Sequence, residues 1–137
     1  MAKPLSHHEA LIYAMVTVSA VDRAMTDAEF GRIGEIVSHL PVFAEYDKER
    51  LIETAQGCGE ILSADGGLHN ILDIIRKALP KKLHETAYAV ALEVAAADQE
   101  VTAEETRFLE LLSEALEIDR LTRAAIERGV RARNMVL

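Results

Sequence analysis

The sequence predicts an all-α fold, a compact single domain of about seven helices that spans residues 1–137 and contains a duplicated helix–acidic turn–helix unit. The chain is 50% hydrophobic but only 4% aromatic, it lacks Trp, and its mean hydropathy is +0.06, a composition typical of closely packed helices. Apolar residues recur at intervals of three and four along most of the chain, whereas strand-forming runs are scarce. Capping residues, glycines and prolines divide this pattern into seven segments.

The first two helices are predicted from capping boxes, in which a Ser or Thr precedes a Glu by three residues. The first helix begins after Ser6 and runs to about Asp22. A second box, formed by Thr26 and Glu29, begins the second helix only a few residues later. Pro41 then ends this helix because proline has no amide proton to donate. The two segments therefore predict a helical hairpin with a short acidic turn.

The middle of the chain has weaker signals. Asp47 is expected to cap a third helix, but Gly57 and Gly59 are expected to weaken or break its later turns. The sequence Asp65-Gly66-Gly67 predicts a turn, and the apolar stripe from Leu68 to Leu79 predicts a fourth helix after it. We expect this region to be less regular than the two ends.

The last three helices again follow clear signals. Pro80 suits the first position of a fifth helix over about residues 80–97, whose narrow Ala and Val face predicts a central position. Thr102 and Glu105 form a third capping box, which begins the sixth helix. Asp119 is expected to cap the seventh helix.

Composition excludes several classes of protein. The net charge of −8 and the pI near 5.1 disfavour binding to nucleic acid or anionic lipid. No apolar run approaches the roughly 20 residues that a membrane span needs. The single cysteine, Cys58, cannot form an internal disulfide, and the first residues lack the apolar stretch of a signal peptide. We therefore expect a cytoplasmic protein, with Cys58 as a small buried residue.

The strongest feature of the sequence is an internal repeat between residues 6–40 and 82–116. Both units contain Asp, then three residues, Thr, two residues and Glu. The aligned pairs are Asp22 with Asp98, Thr26 with Thr102, and Glu29 with Glu105. This repeat predicts two hairpins in pseudo-twofold packing, with the first and fifth helices inside and the second and sixth helices alongside.

The repeated aspartates lie where a carboxylate is costly. Asp22 and Asp98 continue the apolar faces of their helices and meet the negative ends of the helix dipoles, so each needs donors or a cation. In one interpretation, loop amides satisfy both aspartates, while Glu29 and Glu105 only complete capping boxes. In the other, the Asp and Glu of each unit, together with loop carbonyls, bind a divalent cation such as calcium or magnesium through oxygen. The turns lack the EF-hand pattern, which favours a shared or weak site.

The two units resemble the TerB tellurite-resistance family, most clearly at Val94–Glu105, which reads VAAADQEVTAEE. The resemblance covers nearly the whole chain. It implies an all-helical bacterial protein of the cytoplasm that is linked to tellurite and chemical stress, has an acidic metal-binding surface and has no known catalysis. It also implies a set of metal ligands, namely Asp22, Glu29, Asp98 and Glu105.

This sequence departs from that family at the residue after each aspartate. Many relatives have Gly there, whereas this chain has Arg23 and Gln99. A turn without Gly does not readily adopt the left-handed conformation, which weakens the case for coordination by backbone carbonyls. Arg23 also offers an internal cation in place of a metal.

The functional hypothesis is a non-catalytic tellurite-resistance or stress-response module that binds a divalent cation and interacts with a protein partner. The alternative is a metal-free helical scaffold or protein-interaction domain. An enzyme ranks third, because no nucleophile, base or cofactor motif is present. The last helix is basic, with five arginines and only two acids: Arg120, Arg123, Arg128, Arg131 and Arg133 against Asp119 and Glu127. A solvated helix face explains this excess of charge. The alternative is that the helix docks on an acidic partner or on a second copy of the chain.

Overall fold

Seven α-helices contain most of the residues that the computed structural model describes, which are 5–21, 25–98 and 101–137. No strand occurs in these ranges, so the predicted all-α class and the predicted number of helices are confirmed. Asp22, Arg23 and Gln99 lie outside the described residues. The helices are α1 (His7–Ala20), α2 (Asp27–His39), α3 (Leu51–Ser63), α4 (Gly67–Ala78), α5 (His84–Ala95), α6 (Ala103–Ala115) and α7 (Arg120–Arg133).

Helices α1 and α5 form the centre of the molecule. They pack against each other, and α1 buries every residue from Ala10 to Ser19. A helix buried on all sides is mostly apolar all round, and the two polar side chains in this stretch, Thr17 and Ser19, are within hydrogen-bonding distance of Cys58 Sγ and the carbonyl of Met15. Helices α3 and α4 also pack on α1, whereas α2, α6 and α7 pack on α5. The core is therefore continuous through the molecule.

The capping signals of the sequence are confirmed at the helix starts. The boxes at Ser6, Thr26 and Thr102 are each closed by reciprocal hydrogen bonds of 2.9–3.1 Å with the glutamate three residues on. Asp119 accepts the amide proton of Thr122 at 2.9 Å and so caps α7. These bonds join residues only three positions apart, which explains why local sequence predicts them.

The prediction that glycines break the third helix is wrong. Helix α3 runs unbroken through Gly57 and Gly59, after a 3₁₀ turn at Lys48–Arg50 that Asp47 caps. The missing side chain of Gly57 leaves room for α1, since a Cβ atom there would lie 3.2 Å from Tyr13 Oη. Packing of α3 on α1 therefore outweighs the cost of about 0.5–1 kcal/mol for each helical glycine.

The predicted start and end of the fifth helix need correction as well. Pro80 has extended backbone and precedes a 3₁₀ turn at Lys81–Leu83, so α5 begins at His84 rather than at residue 80. Helix α5 ends at Ala95, and a second 3₁₀ turn follows at Ala96–Asp98. This tighter turn carries Asp98 toward the first residues of α2.

Each half of the chain also has a third helix that packs on its central helix: α3 packs on α1, and α7 packs on α5.

Two histidines make matching contacts in the two halves. A ring nitrogen of His8 donates to the carbonyl of Val42 at 2.8 Å, and one of His84 donates to the carbonyl of Leu116 at 3.0 Å. His8 and His84 are aligned positions of the repeat, and both tie the start of one helix to the end of the next. The two contacts therefore lie at matching places in the two units.

Within the ranges that the structure describes, no helix has the length and apolar composition needed to cross a bilayer.

Candidate functional site at the acidic turns

The 3₁₀ turn at Ala96–Asp98 packs against α2, and this contact joins the two repeat units. The hydroxyl oxygen of Thr26 lies 3.1 Å from Asp98 Oδ2 and 3.3 Å from Asp98 Oδ1. The same oxygen lies 3.2 Å from Glu29 Oε1. Two carboxylates from different halves of the chain therefore converge on one hydroxyl.

The hydroxyl of Thr26 has only one proton to donate. It also accepts the amide proton of Glu29 at 3.1 Å, while Glu29 Oε1 accepts the amide proton of Thr26 at 3.0 Å. Glu29 thus has a donor without the hydroxyl, whereas Asp98 has no other donor among the hydrogen bonds of the described residues. We infer that the Thr26 proton points to Asp98.

Burial makes these carboxylates sensitive to their partners. Glu29 is 3% exposed and Glu105 is 4% exposed, and Asp98 is half-buried. Glu105 accepts the amide proton of Thr102 at 2.9 Å. A buried carboxylate is tolerated only when hydrogen bonds or a cation balance its charge. The capping boxes supply part of this balance in each unit.

The structure thus brings together some of the four predicted metal ligands. Glu29 and Asp98 meet through Thr26, and Glu105 lies in its own capping box. Asp22 lies outside the described residues. Sequence reasoning treated Thr26 only as a cap and missed its contact with Asp98, for which the repeat was the one available signal.

The donor set suits a hard cation in kind, since calcium and magnesium prefer carboxylate, hydroxyl and carbonyl oxygen. The number of candidate ligands is too small for calcium, because calcium takes about 6–8 oxygen ligands. Among the described residues, no group of three or more His, Cys, Asp and Glu side chains could hold a metal ion. A cation at Glu29 and Asp98 would therefore need further oxygens from water or backbone, or from the other two candidate ligands, Asp22 and Glu105.

A groove of about 820 Å³ lies between α2 and α5. An apolar group of side chains lines much of it: Ile36, Leu40, Val42, Ala89 and Val90. The groove is open to solvent on one side and has a polar end. Its shape and lining suit an apolar segment rather than a small charged molecule.

The polar end of the groove is a network centred on Glu93. Arg32 Nη1 lies 3.2 Å from Glu93 Oε2, and Arg133 Nε lies 2.8 Å from Glu93 Oε1. Asn134 donates to Glu93 Oε2 at 3.3 Å and accepts from Arg32 at 3.2 Å. The network ties the end of α7 to α2 and α5. Sequence reasoning missed it, although an acid in the apolar second half of α5 was a signal.

Cys58 forms its hydrogen bonds, in the described part of the chain, with two residues of α1, Tyr13 and Thr17. It is fully buried between α3 and α1, with its sulfur 3.4 Å from Thr17 Oγ1. Burial raises the pKa of its thiol to about 11, although the hydrogen bond with Thr17 acts in the opposite direction. A thiol in this state is a poor nucleophile, which confirms the prediction of a small buried residue.

A family model described as Tellurite resistance protein TerB matches residues 8–128 of the chain. The match therefore begins in the first turn of α1, includes both acidic turns and ends within α7. No curated protein and no solved structure matches the chain.

Proposed function

Since the chain belongs to the TerB family of tellurite resistance proteins, we propose that it is a non-catalytic stress-response module whose acidic turns bind a divalent cation and whose groove binds a protein partner. The observation that carries the proposal is the convergence of Asp98 and Glu29 on the hydroxyl of Thr26. The cation is calcium or magnesium, because every candidate ligand is a hard oxygen.

Electrostatics favours a cation at this position. Two carboxylates that lie about 3 Å from the same hydroxyl oxygen repel each other, and the hydroxyl has a proton for only one of them. A divalent ion beside Asp98 and Glu29 removes this repulsion. Magnesium keeps several waters when it binds a protein, so a site with few side-chain ligands suits it. Asp22 and Glu105 are the further ligands that the repeat provides in this proposal.

The fold offers a route from the acidic turns to the groove. The first turn of helix α2 holds Glu29 at the site. One turn later the helix carries Arg32, and Ile36 after it forms part of the groove wall. Helix α5 supplies Glu93 to the groove and leads directly into the turn that holds Asp98. A change in the spacing between Thr26 and Asp98 would therefore move both walls of the groove. An apolar groove between two helices suits a helical segment of a partner.

Calorimetric titration of the metal-stripped full chain with calcium, magnesium, manganese and zinc tests the cation. We expect saturable heat with calcium or magnesium for the wild type, and its loss in Asp98→Asn and in Asp22→Asn. Asp65→Asn is the matched control, because Asp65 is an exposed aspartate in a turn outside the repeat. Equal heats for all four proteins would reject the metal site.

A metal-free scaffold is the second candidate, and the complete capping boxes at Thr26 and Thr102 favour it, because they satisfy Glu29 and Glu105 in part without a metal. Capture of a protein partner by the chain, compared between wild type and variants, distinguishes the two functions. Ile36→Glu places a charge on the groove wall and should abolish capture in either case. If Asp98→Asn leaves capture unchanged with and without calcium or magnesium, the scaffold function is the correct one.

A further inference from the structure

The face of α7 that points away from the core is both basic and apolar. Arg120, Arg128 and Arg131 are exposed there, Leu121 is 84% exposed and Met135 just beyond the helix is 68% exposed. We refer to these five residues as the arginine face. None of its three arginines forms an ion pair within residues 5–21, 25–98 and 101–137.

The other arginines of α7 behave differently. Arg123 pairs with Glu127 at 3.0 Å, and Arg133 pairs with Glu93. Both serve the packing of α7 on α5, where they contact Tyr88 and Glu93. The arginine face is therefore a separate surface that internal packing does not explain. Arginine and methionine are both enriched at protein interfaces.

The exposed face of α3 has the opposite charge. Glu53, Gln56 and Glu60 are exposed along it, and Ile52 is 60% exposed. We refer to these four residues as the glutamate face. A shallow groove of about 320 Å³ runs beside it toward Glu9 of α1, with one arginine at its edge. Glu53 and Glu60 form no ion pair in the described part of the chain.

The two faces also match in spacing. Glu53 and Glu60 are seven residues apart and Arg120 and Arg128 are eight apart, so both pairs span about two helical turns, roughly 10–12 Å at 1.5 Å per residue. An exposed aliphatic residue adjoins the first charge of each pair, Ile52 beside Glu53 and Leu121 beside Arg120. Charge and spacing therefore correspond on the two helices, and each face has an exposed apolar residue beside its charged pair.

We propose that the arginine face of one copy of the chain docks on the glutamate face of another copy. The contact is heterologous, since the two surfaces differ, so copies assemble head to tail into rings or short filaments. Helices α3 and α7 pack on different central helices, which leaves both faces available on each copy. Exposed ion pairs are weak and screened by salt, so association should be modest and strongest at low ionic strength.

Sedimentation velocity over a range of protein concentration and salt tests this contact. We expect the wild type to show a mass that rises with concentration at low salt and falls when salt is added. The variants Arg128→Glu with Arg131→Glu and Glu53→Arg with Glu60→Arg should each be monomeric. An equimolar mixture of these two variants should associate again, because each supplies the complement of the other.

The control variant is Arg76→Glu with Lys77→Glu, on an exposed part of α4. It changes the net charge by the same amount as Arg128→Glu with Arg131→Glu and should associate like the wild type. Far-ultraviolet circular dichroism checks that every variant is folded. A wild type that is monomeric at low salt, or a mixture that stays monomeric, would overturn the proposal. Sedimentation of a monomeric wild type with phosphatidylserine vesicles would instead assign the arginine face to lipid, and would also overturn it.

Discussion

Thr26 donates a hydrogen bond of 3.1 Å to Asp98, a residue 72 positions further along the chain, and so joins the capping box of one repeat unit to the acidic turn of the other. A residue that local sequence marks only as a helix cap therefore also links the two halves of the fold. We expect this link to contribute measurably to the free energy of unfolding.

Replacement of Thr26 by Val should lower the free energy of unfolding by about 1–2 kcal/mol, because it removes both the cap and the bond to Asp98. In a double-mutant cycle with Asp98→Ala, measured by urea unfolding, we expect a coupling of about 1 kcal/mol. Ser6→Ala is the control, since it removes a cap that has no bond to the other unit in the described residues. A coupling near zero would show that the bond adds nothing to stability.

Tyr88→Phe should lower stability at pH 7 by about 1 kcal/mol, because the buried hydroxyl donates to Glu127 and accepts from Arg123. Burial, followed by the bond to Glu127, raises the pKa of Tyr88 from 10.0 to about 12. A raised folded pKa means that this stabilisation is complete below pH 10 and is lost as the pH rises toward 12. The free energy of unfolding, measured from pH 9 upward, should therefore fall less steeply with pH in the Phe variant than in the wild type. An unchanged slope would contradict this linkage.

Cys58 should not react with a thiol reagent at pH 8 until the protein opens, because burial has raised its pKa to about 11 and the side chain has no exposed surface. Its rate of modification should match the rate of opening. The control is Ser63→Cys in a Cys58→Ala background, which places a thiol at an exposed position of the same helix. Equally fast reaction of both thiols would show that Cys58 is accessible.

Two glycines should respond in opposite ways to alanine. A Cβ atom at Gly67 would lie 2.4 Å from the backbone oxygen of Leu62, so Gly67→Ala should destabilise the fold by more than about 2 kcal/mol. A Cβ atom at Gly59 would meet nothing within 4 Å, so Gly59→Ala should stabilise helix α3 by about 0.5–1 kcal/mol. Thermal unfolding compares the two variants. A destabilised Gly59→Ala protein would mean that α3 needs this glycine.

Local signals in the sequence determined the fold class, the number of helices and the starts of α1, α2, α6 and α7. The reason is physical: a capping box or a proline acts through hydrogen bonds over three or four residues, so its effect does not depend on the rest of the chain. Glu29 and Asp98 could be named as candidate site residues for the same reason, because the repeated spacing is visible in the sequence.

Tertiary packing decided the structure at the places where residues far apart in the chain meet. Helix α3 continues through Gly57 because that glycine lets it approach Tyr13, and α5 starts at His84 rather than at Pro80. The bond from Thr26 to Asp98 depends on the packing of the turn after α5 against the start of α2. No local pattern encodes such a distance, because it is set by how the two halves bury their shared core.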